Sequence, residues 1–423
     1  MAESTSDYIS PQQLRIGLHV HVDLPWTDHP FTFSSFKVRS LEQISTLQSL
    51  GLTRIRYSRA KSDVEPLPAS QTDNSPPPPA SRDDPVYDAK RERIERLSAQ
   101  RRRAAVCERE FLSSARAMKS INHNLFAQPA MAREEASKLI QTMCDSLLVE
   151  ADIAIHLMKD KIGGDDVYFH SLNVALLAMT LAKELKAPAE LIHALGMGAV
   201  FHDVGKLNLP DRITRKMDVL TRQEALALQQ HCAFGLEIGR KLDLAPDAMS
   251  VIAQHHERVD GSGYPKGLMG PQISLLAKVA AIANTFDNLC NPTNPARGLT
   301  PHEALSLMYA QQRAHFEAAP LSTFVRCMGI YPPGTIVSLS NGALGMVVSV
   351  NSTRPLKPTV LLYDADVPRD EAILVELEQE PDVVIARTMK PDQLPEAAFE
   401  YLNPRKRTTY YFDSGGGGGS ATR

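Results

Sequence analysis

The chain has 423 residues, of which 43% are hydrophobic, so it can form two or three domains with a substantial core. Its formal net charge of -3 excludes a general attraction to nucleic acid or to an anionic membrane surface. Five scattered cysteines without a Cys-x-x-Cys pair are typical of reduced thiols, and no apolar run reaches transmembrane length. We therefore expect a cytoplasmic protein, bound to neither membrane nor nucleic acid, that captures its ligand locally.

Residues 8–61 predict a small α/β module. Short apolar runs such as Leu18 to Val22 have the period of strands, and Leu41 to Leu50 has a helical pattern that stops at Gly51. His19 and His21 fall on one exposed face of the first strand, so we interpret them as surface residues rather than metal ligands. The module is either a sensor or partner-docking unit or a structural cap, and the sequence favours neither.

Residues 62–87 are rich in proline and serine and can form no core, so we predict an extended linker. Residues 88–130 then carry many arginines between spaced apolar positions. Such a helix could bind nucleotide phosphate or RNA, but glutamates interleaved with the arginines indicate a solvated, salt-bridged surface. We interpret this segment as a basic connecting helix, or as the helix of a homodimer, that binds no nucleic acid.

Residues 131–330 have the pattern of a helical bundle. Ala132 to Lys161 is one long amphipathic stretch, and Val167 to Leu185 is apolar nearly all round, which predicts a fully buried helix. Pro188 to Asp203 forms the next helix, and Gly205 ends it.

Two capping boxes mark further helix starts. Thr221 with Glu224 opens a helix that carries His231, and Thr300 with Glu303 forms a second capping box that opens another helix. We therefore predict that His231 lies inside the helix that begins after Thr221.

Histidines recur through these predicted helices. His170 follows Asp166 by one helical turn on the same face, which favours a ligand over a satisfied core residue. His255 and His256 are adjacent, so both reach one site only near a helix end. The ligand set of a two-metal hydrolytic site would be His170, His202, Asp203, His231, His255 and His256.

After Gly329 the sequence pattern changes to short β-type runs separated by Asn341-Gly342 and proline-rich turns. We predict a small β-rich region over residues 331–412, followed by a flexible, inert glycine-rich tail at 413–423. The expected fold class is mainly α, with a helical bundle as core, a small N-terminal α/β module and a small C-terminal β appendage.

Two motifs resemble those of a known family. His202-Asp203-x-Gly205-Lys206 and His255-His256-Glu257-x-x-Asp260-Gly261-x-Gly263-Tyr264-Pro265 match, in order, the two signatures of the HD-GYP family of cyclic di-GMP phosphodiesterases within the HD phosphohydrolases. The N-terminal pattern Leu14-Arg15-x-Gly17 with Trp26-x-x-His29-Pro30-Phe31 is similar to a domain of unknown function often found before such domains. The resemblance implies an HD-type bundle as the core.

The resemblance also implies roles for individual residues. Its metal ligands fall at His170, His202, Asp203, His231, His255 and His256, with Asp166 and Asn284 as further candidates. Asp203 would bridge two ions, and imidazole mixed with carboxylate favours two or three divalent ions of Fe or Mn, with Zn or Ni as alternatives and Mg less apt. Asp203 and Lys206 would be catalytic, with Lys206 binding a phosphate oxygen. The residues on the substrate side would be Lys206, Arg297, Gly261, Gly263 and Tyr264.

The loop of the second motif has its own expectations. Gly261 and Gly263 permit positive φ, and Pro265 stiffens the exit. Tyr264 fits packing within the loop better than contact with substrate.

The implied reaction is hydrolysis of cyclic di-GMP to linear pGpG, with either pGpG or GMP as the final product, which would lower a bacterial second messenger. The chain departs from the family at Asn284, where the family has Asp, and at Cys290 to Arg297, which replaces a Thr-Ser-x-Arg-Pro-Tyr-Arg stretch. An alternative is a catalytically weak receptor or scaffold that binds cyclic di-GMP or a GGDEF-type diguanylate cyclase. The ligand set and Lys206 favour the enzyme, and the full Gly261 to Pro265 motif argues against a general nucleotide hydrolase.

Overall fold

The computed structural model describes residues 7–24, 29–31, 33–68, 95, 98, 109, 113–149, 155–157, 166–351, 354–365, 367, 369, 372–402 and 410–412, with the backbone alone at 146, 148, 149, 155–157, 166, 167 and 410–412. The chain divides into two compact units, residues 1–100 with 363–375 and residues 101–362 with 376–423. Most of the predicted linker (62–87), much of the predicted basic helix (88–130) and the whole tail (413–423) lie outside the described residues.

The first unit contains one antiparallel sheet. Its strands are β1 (Asp7–Ile9), β2 (His19–His21), β3 (Ser35–Lys37) and β4 (Ile55–Tyr57), in the order β1-β4-β2-β3. Helix α1 (Leu41–Ser49) begins at Ser40, whose hydroxyl accepts a hydrogen bond from the Gln43 amide. The fully buried side chains of this module include Leu18, Val20, Leu47 and Ile55.

His19 is buried, so the prediction that it lies on an exposed face is wrong. The segment that follows β4 folds back beside β2. The amide of His19 donates to the hydroxyl of Ser62 at 2.8 Å, and the amide of Ser58 donates to the His19 carbonyl at 2.9 Å. The alternation of a single strand does not reveal such a covering segment. Among the described residues neither His19 nor His21 belongs to a cluster that could hold a metal.

The second unit is built on helices. They are α2 (Pro129–Val149), α3 (Asp166–Glu184), α4 (Ala189–Phe201), α5 (Asp211–Thr214), α6 (Arg222–Gln229), α7 (His231–Lys241), α8 (Pro246–Gln254), α9 (Leu275–Cys290), α10 (Pro301–Ala310) and α11 (Ala318–Met328). Residues 113–124 are also helical. As predicted, α3 is buried along most of its length; it packs against α4 and α9, and α4 packs against α8. These three contacts form the core that carries the histidines.

Helix α2 ends at Val149, and Ile155–Leu157 forms strand β5, so the predicted continuation of one helix to Lys161 is wrong. The apolar residues at 153, 155 and 157 alternate, a pattern that fits a strand as well as a helix. Strand β5 pairs antiparallel with Tyr410–Phe412 near the other end of the chain. Pairing with this distant strand therefore determines that residues 155–157 form a strand and not a helix.

The capping box at Thr221 is confirmed, because the Glu224 amide donates to the Thr221 hydroxyl and the Thr221 amide donates to the Glu224 carboxylate. Helix α6 nevertheless ends at Gln229, and His231 begins α7 instead of lying inside the first helix. Nδ1 of His231 lies 2.6 Å from the Leu228 carbonyl oxygen. The imidazole thus supplies a partner for the end of α6 while its backbone starts α7.

The C-terminal region contains β6 (Ile336–Leu339), β7 (Leu344–Ser349), β8 (Thr359–Leu362), β9 (Leu374–Glu376), β10 (Ile385–Met389), α12 (Glu396–Leu402) and β11 (Tyr410–Phe412). Four strands form an antiparallel sheet in the order β10-β6-β7-β8. Gly342 has a φ of 85° in the turn between β6 and β7, as the Asn341-Gly342 pair predicts. The predicted fold class is therefore confirmed. Among the described helices, none combines the length and the apolar character needed to cross a bilayer.

Candidate metal centre

Three helix ends and one buried helix bring the candidate ligands together. His202 caps the C-terminus of α4 and Asp203 follows it, while His231 begins α7 and His255 caps the end of α8. His170 comes from α3. Adjacent residues on a continuous helix point about 100° apart. The helix ends let neighbouring side chains turn towards one site, as predicted.

Gly205 sets how closely the end of α4 approaches the start of α7. A Cβ built on Gly205 would lie 1.9 Å from the carbonyl oxygen of His231 and 2.5 Å from the amide nitrogen of Gly235. No side chain fits in this gap. The glycine of the first motif therefore places Asp203 beside His231.

His170, His202 and Asp203 form a first cluster, which we call the His170 group, with ligand atoms that all lie within 4.8 Å of one another. Nε2 of His170 lies 3.2 Å from Nε2 of His202. Oδ2 of Asp203 lies 3.5 Å from His170 Nε2 and 3.4 Å from His202 Nε2.

Asp203 also belongs to a second cluster with His231, His255 and His256, which we call the His231 group. Nε2 of His231 lies 3.2 Å from Nε2 of His255. The other carboxylate oxygen of Asp203, Oδ1, lies 3.5 Å from His231 Nε2 and 3.8 Å from His255 Nε2. Asp203 thus presents one oxygen to each group.

Backbone contacts fix the proton positions of three imidazoles. In each, Nδ1 contacts a main-chain carbonyl three residues earlier: His202 to Ala199 at 2.7 Å, His231 to Leu228 at 2.6 Å and His255 to Ile252 at 3.0 Å. A carbonyl only accepts hydrogen bonds, so Nδ1 carries the proton and Nε2 of the neutral ring keeps its lone pair. The Nε2 lone pairs therefore point into the site.

Burial favours the neutral form of His231, His255 and His256. Burial, and then the neighbouring imidazoles, lower the pKa of His255 well below its usual value, and burial also lowers the pKa of His231 and of His256. Burial raises the pKa of the Asp203 carboxyl, but the ammonium of Lys206 leads the effects that outweigh burial and hold this pKa well below its usual range. Neutral imidazole and ionised carboxylate are the forms that bind metal ions.

These donors fit divalent metal ions. Oδ1 of Asp203 is buried and accepts no hydrogen bond from any residue that the structure describes. Such an oxygen is costly unless a cation compensates it. Two nitrogens bound at right angles to one ion, each at about 2.1 Å, lie about 3 Å apart, close to the spacing of the Nε2 pairs.

Lys206 lies at the edge of the centre. Its Nζ contacts Oδ2 of Asp203 at 2.5 Å, and about a third of its side chain (35%) is exposed to solvent. The ammonium group therefore touches the oxygen that faces the His170 group.

The role of Asp287 was not predicted from the sequence. Its carboxylate is fully buried, with Oδ2 at 2.6 Å from His170 Nδ1 and Oδ1 accepting hydrogen bonds from Asn173 at 2.7 Å and Asn291 at 2.9 Å. A carboxylate behind a metal-binding histidine fixes the ring orientation and raises its basicity. An acidic residue in the apolar helix α9 was the available signal.

Two predicted residues, Asn284 and Arg297, have no described contact with either group. Asn284 is buried, and its Oδ1 accepts a hydrogen bond from Asn288 at 2.7 Å. Arg297 is exposed in the 3₁₀ turn Pro295–Arg297 after α9. Asp166 begins α3, where only the backbone is described. Their roles at the site stay predictions.

Glu257, the third residue of the second motif, holds the loop that follows it. Its carboxylate is buried and accepts hydrogen bonds from the amides of Lys266 and Leu268, each at 2.8 Å. This role of Glu257 was not predicted from the sequence. The structure shows a buried carboxylate that ties the far end of the loop to the end of α8.

The two loop glycines act differently. Gly261 has a φ of 79°, as predicted, whereas Gly263 does not have positive φ. A Cβ on Gly263 would lie 2.4 Å from the amide nitrogen of Arg258, so close packing requires this glycine. The ring of Tyr264 stacks on His256 with centroids 4.4 Å apart. Tyr264 thereby packs against a candidate ligand.

Three family models match the chain. A domain of unknown function (DUF3391) matches residues 8–136, an HD domain matches residues 130–319, and a KOW domain associated with the HD domain matches residues 336–397. The order agrees with the N-terminal module, the helical unit and the C-terminal strands described above.

Several known proteins are similar to this chain. The cyclic di-GMP phosphodiesterase PA4108 of Pseudomonas aeruginosa is 30% identical over 359 residues, 83% of each chain. The cyclic di-GMP phosphodiesterase response regulator RpfG of Xanthomonas campestris is 32% identical over 36% of this chain and 40% of its own length. The 3'3'-cGAMP-specific phosphodiesterase 1 of Vibrio cholerae is 36% identical over 33% of this chain and 32% of its own length.

Among solved structures, the HDG"Y"P protein Bd1817 from Bdellovibrio bacteriovorus aligns with 75% of this chain and 98% of its own, at 16% identity and a TM-score of 0.42. The decisive likeness is the alignment with the Pseudomonas protein, which runs through most of both chains and accompanies the HD-domain match. Together with the paired His-Asp and His-His motifs, it places this chain in the HD-GYP family of HD-domain phosphohydrolases.

Proposed function

We propose that this protein is a metal-dependent phosphodiesterase that hydrolyses cyclic di-GMP to linear pGpG, with either pGpG or GMP as the final product. The observation that carries the proposal is the pair of ligand groups that share Asp203, because two-metal sites of this kind hydrolyse phosphodiesters. Relatives named as cyclic di-GMP phosphodiesterases support the substrate. Turnover would lower the level of this second messenger.

The proposed cofactors are two or three divalent ions, with Fe or Mn favoured. The His170 group would hold one ion, the His231 group another, and Asp203 both, with Asp166 and Asn284 as further candidate ligands. When bound, the ions would polarise the phosphodiester and activate water.

The residues of the chain would position these ions and the substrate. Backbone carbonyls orient three imidazoles, and Asp287 orients His170. The ammonium of Lys206, partly exposed beside Asp203, would bind a non-bridging phosphate oxygen, where negative charge accumulates in the transition state. The residues proposed to line the substrate are Lys206, Arg297, Gly261, Gly263 and Tyr264.

One observation favours a second candidate function. Position 284 carries a neutral amide whose oxygen is engaged by Asn288, where the family has an aspartate. The second candidate is a receptor or scaffold, monomeric or dimeric, that binds cyclic di-GMP or a GGDEF-type diguanylate cyclase with little turnover.

The test is turnover of cyclic di-GMP by the purified full-length protein supplied with Mn²⁺ or Fe²⁺, with the products resolved by chromatography. The double variant His202→Ala/Asp203→Ala is expected to lose turnover and keep its helical circular dichroism. The matched control is His193→Ala, a histidine of the same helix α4 whose Nε2 lies 3.3 Å from the Ser137 hydroxyl.

Near wild-type turnover by the double variant would exclude the two-metal assignment. Tight binding of cyclic di-GMP without turnover by the metal-loaded wild type would favour the receptor. Faster turnover of 3'3'-cGAMP would replace the proposed substrate by another cyclic dinucleotide.

A further inference from the structure

The two ligand groups are unequal in their donors. The His231 group offers three imidazoles and Oδ1 of Asp203, whereas the His170 group offers two imidazoles and Oδ2 of Asp203. Affinity for a divalent ion generally rises with the number of ligands that are already in place, because fewer waters remain and less ordering is needed.

The two oxygens of Asp203 are also unequal. Oδ1, which faces His231 and His255, accepts no hydrogen bond from any described residue. Oδ2, which faces His170, is contacted by the ammonium of Lys206 at 2.5 Å. A divalent ion in the His170 group would therefore share its oxygen with a cation and would be repelled by it.

The described residues of the neighbouring helix α9 do not make the two groups equal in their ligands. Asn284 is neutral, and its side-chain oxygen accepts a hydrogen bond from Asn288. Both carboxylate oxygens of Asp287 are engaged, one by His170 and the other by Asn173 and Asn291. Within the part of the chain that the structure describes, Asp203 is the single carboxylate of the His170 group.

We infer that the two metal sites fill in order: the His231 group binds its ion more tightly and fills first, and the His170 group binds the second ion weakly. The inference rests on the proposed two-metal phosphodiesterase, and it ranks the two sites by their affinity for the metal ion. Occupancy of the His170 group then limits how much of the protein carries both ions.

The test is a calorimetric titration of the metal-free, full-length protein with Mn²⁺, with bound metal counted after dialysis. The wild type is expected to show two classes of site, one ion each, whose dissociation constants differ at least tenfold. His256→Asn should remove the tight class, and His170→Asn should remove only the weak class. His193→Ala is the matched control and should leave both classes unchanged.

Circular dichroism of each variant confirms that the helices are retained, and His170→Gln and His256→Gln replace any variant that fails to fold. Two classes of equal affinity, or loss of the tighter class in the His170 variants, would overturn the ranking while leaving the two-metal centre standing. A wild type that binds no Mn²⁺, Fe²⁺ or Zn²⁺ would overturn both the ranking and the proposed function.

Discussion

Nδ1 of His170 lies 2.6 Å from Oδ2 of Asp287, a carboxylate with no exposed surface. The two residues are 117 positions apart and belong to α3 and α9, so only the packed bundle brings them together. Because Asp287 also accepts hydrogen bonds from Asn173 and Asn291, one side chain links the metal centre to the packing of these helices.

Asp287→Asn is expected to weaken metal binding at the His170 group by about 10- to 100-fold, since the amide cannot accept all three hydrogen bonds and no longer raises the basicity of the ring. The free energy of unfolding should fall by about 1–3 kcal/mol because a buried donor loses its partner. Metal titration and urea denaturation measure the two effects. Asp243→Asn, at a surface ion pair with Arg133, is the control; unchanged metal affinity in the Asp287 variant would contradict the assigned role.

Asn284→Asp is expected to raise the amount of metal bound per chain at limiting Mn²⁺. The variant adds a negative charge to α9 at the position where the family has an aspartate. The rate of the wild type should then depend more steeply on added Mn²⁺ or Fe²⁺ than the rate of the variant. Metal analysis and rates against metal concentration, measured for both proteins, check this. Identical curves for wild type and Asn284→Asp would place residue 284 outside the metal site.

Gly205→Ala is expected to lower the free energy of unfolding by about 3 kcal/mol or more and to reduce metal binding, because its Cβ would collide with the His231 carbonyl. Thermal denaturation and metal analysis are the measurements. Leu207→Ala, at an exposed position in the 3₁₀ helix Val204–Asn208 that also contains Gly205, should change neither. A stable, metal-binding Gly205→Ala protein would show that α7 can move away without loss of the site.

Glu257→Gln is expected to loosen the loop that carries Gly263 and Tyr264, since an amide can accept only one of the two backbone hydrogen bonds that the carboxylate accepts. We expect a loss of about 1–3 kcal/mol in stability and faster amide exchange at Lys266 or Leu268. Hydrogen exchange checks this, with Glu237→Gln on the exposed side of α7 as control. Unchanged exchange at both amides would exclude the assigned role.

Glu224 is expected to make stability depend on pH. The hydrogen bond from Lys216, followed by those from Thr221, lowers the pKa of Glu224 from 4.5 to about 2. The folded state therefore favours the ionised form, so this stabilisation is present above pH 4.5 and is lost as the pH falls from 4.5 towards 2. Urea denaturation of wild type and Glu224→Gln should show a difference at pH 7 that shrinks towards pH 3; a difference independent of pH would contradict the expectation.

Local signals in the sequence predicted the helix starts and the composition of the site. The capping boxes at Thr221 and Thr300 form as expected, because their hydrogen bonds span only three residues. The His-Asp and His-His pairs likewise predicted side chains that converge at helix ends. These features depend on chemistry within one or two turns.

Contacts between distant segments were not predictable in this way. The Asp287–His170 pair, the strand at 155–157 and the burial of His19 each depend on a segment far away in the sequence or on a turn that folds back. Glu257 had a local signal, as an acid within an apolar helix end, but its partners Lys266 and Leu268 are reached only through the folded loop.

The carbonyls that orient His202, His231 and His255 belong to the backbone at positions 199, 228 and 252. The side chains at those three positions take no part in aiming the imidazoles. Only packing limits substitutions at these three positions. Replacing their side chains should therefore leave the orientation of the three imidazoles unchanged. Variants at these positions should differ in their free energy of unfolding, while the orientation of the imidazole nitrogens stays the same.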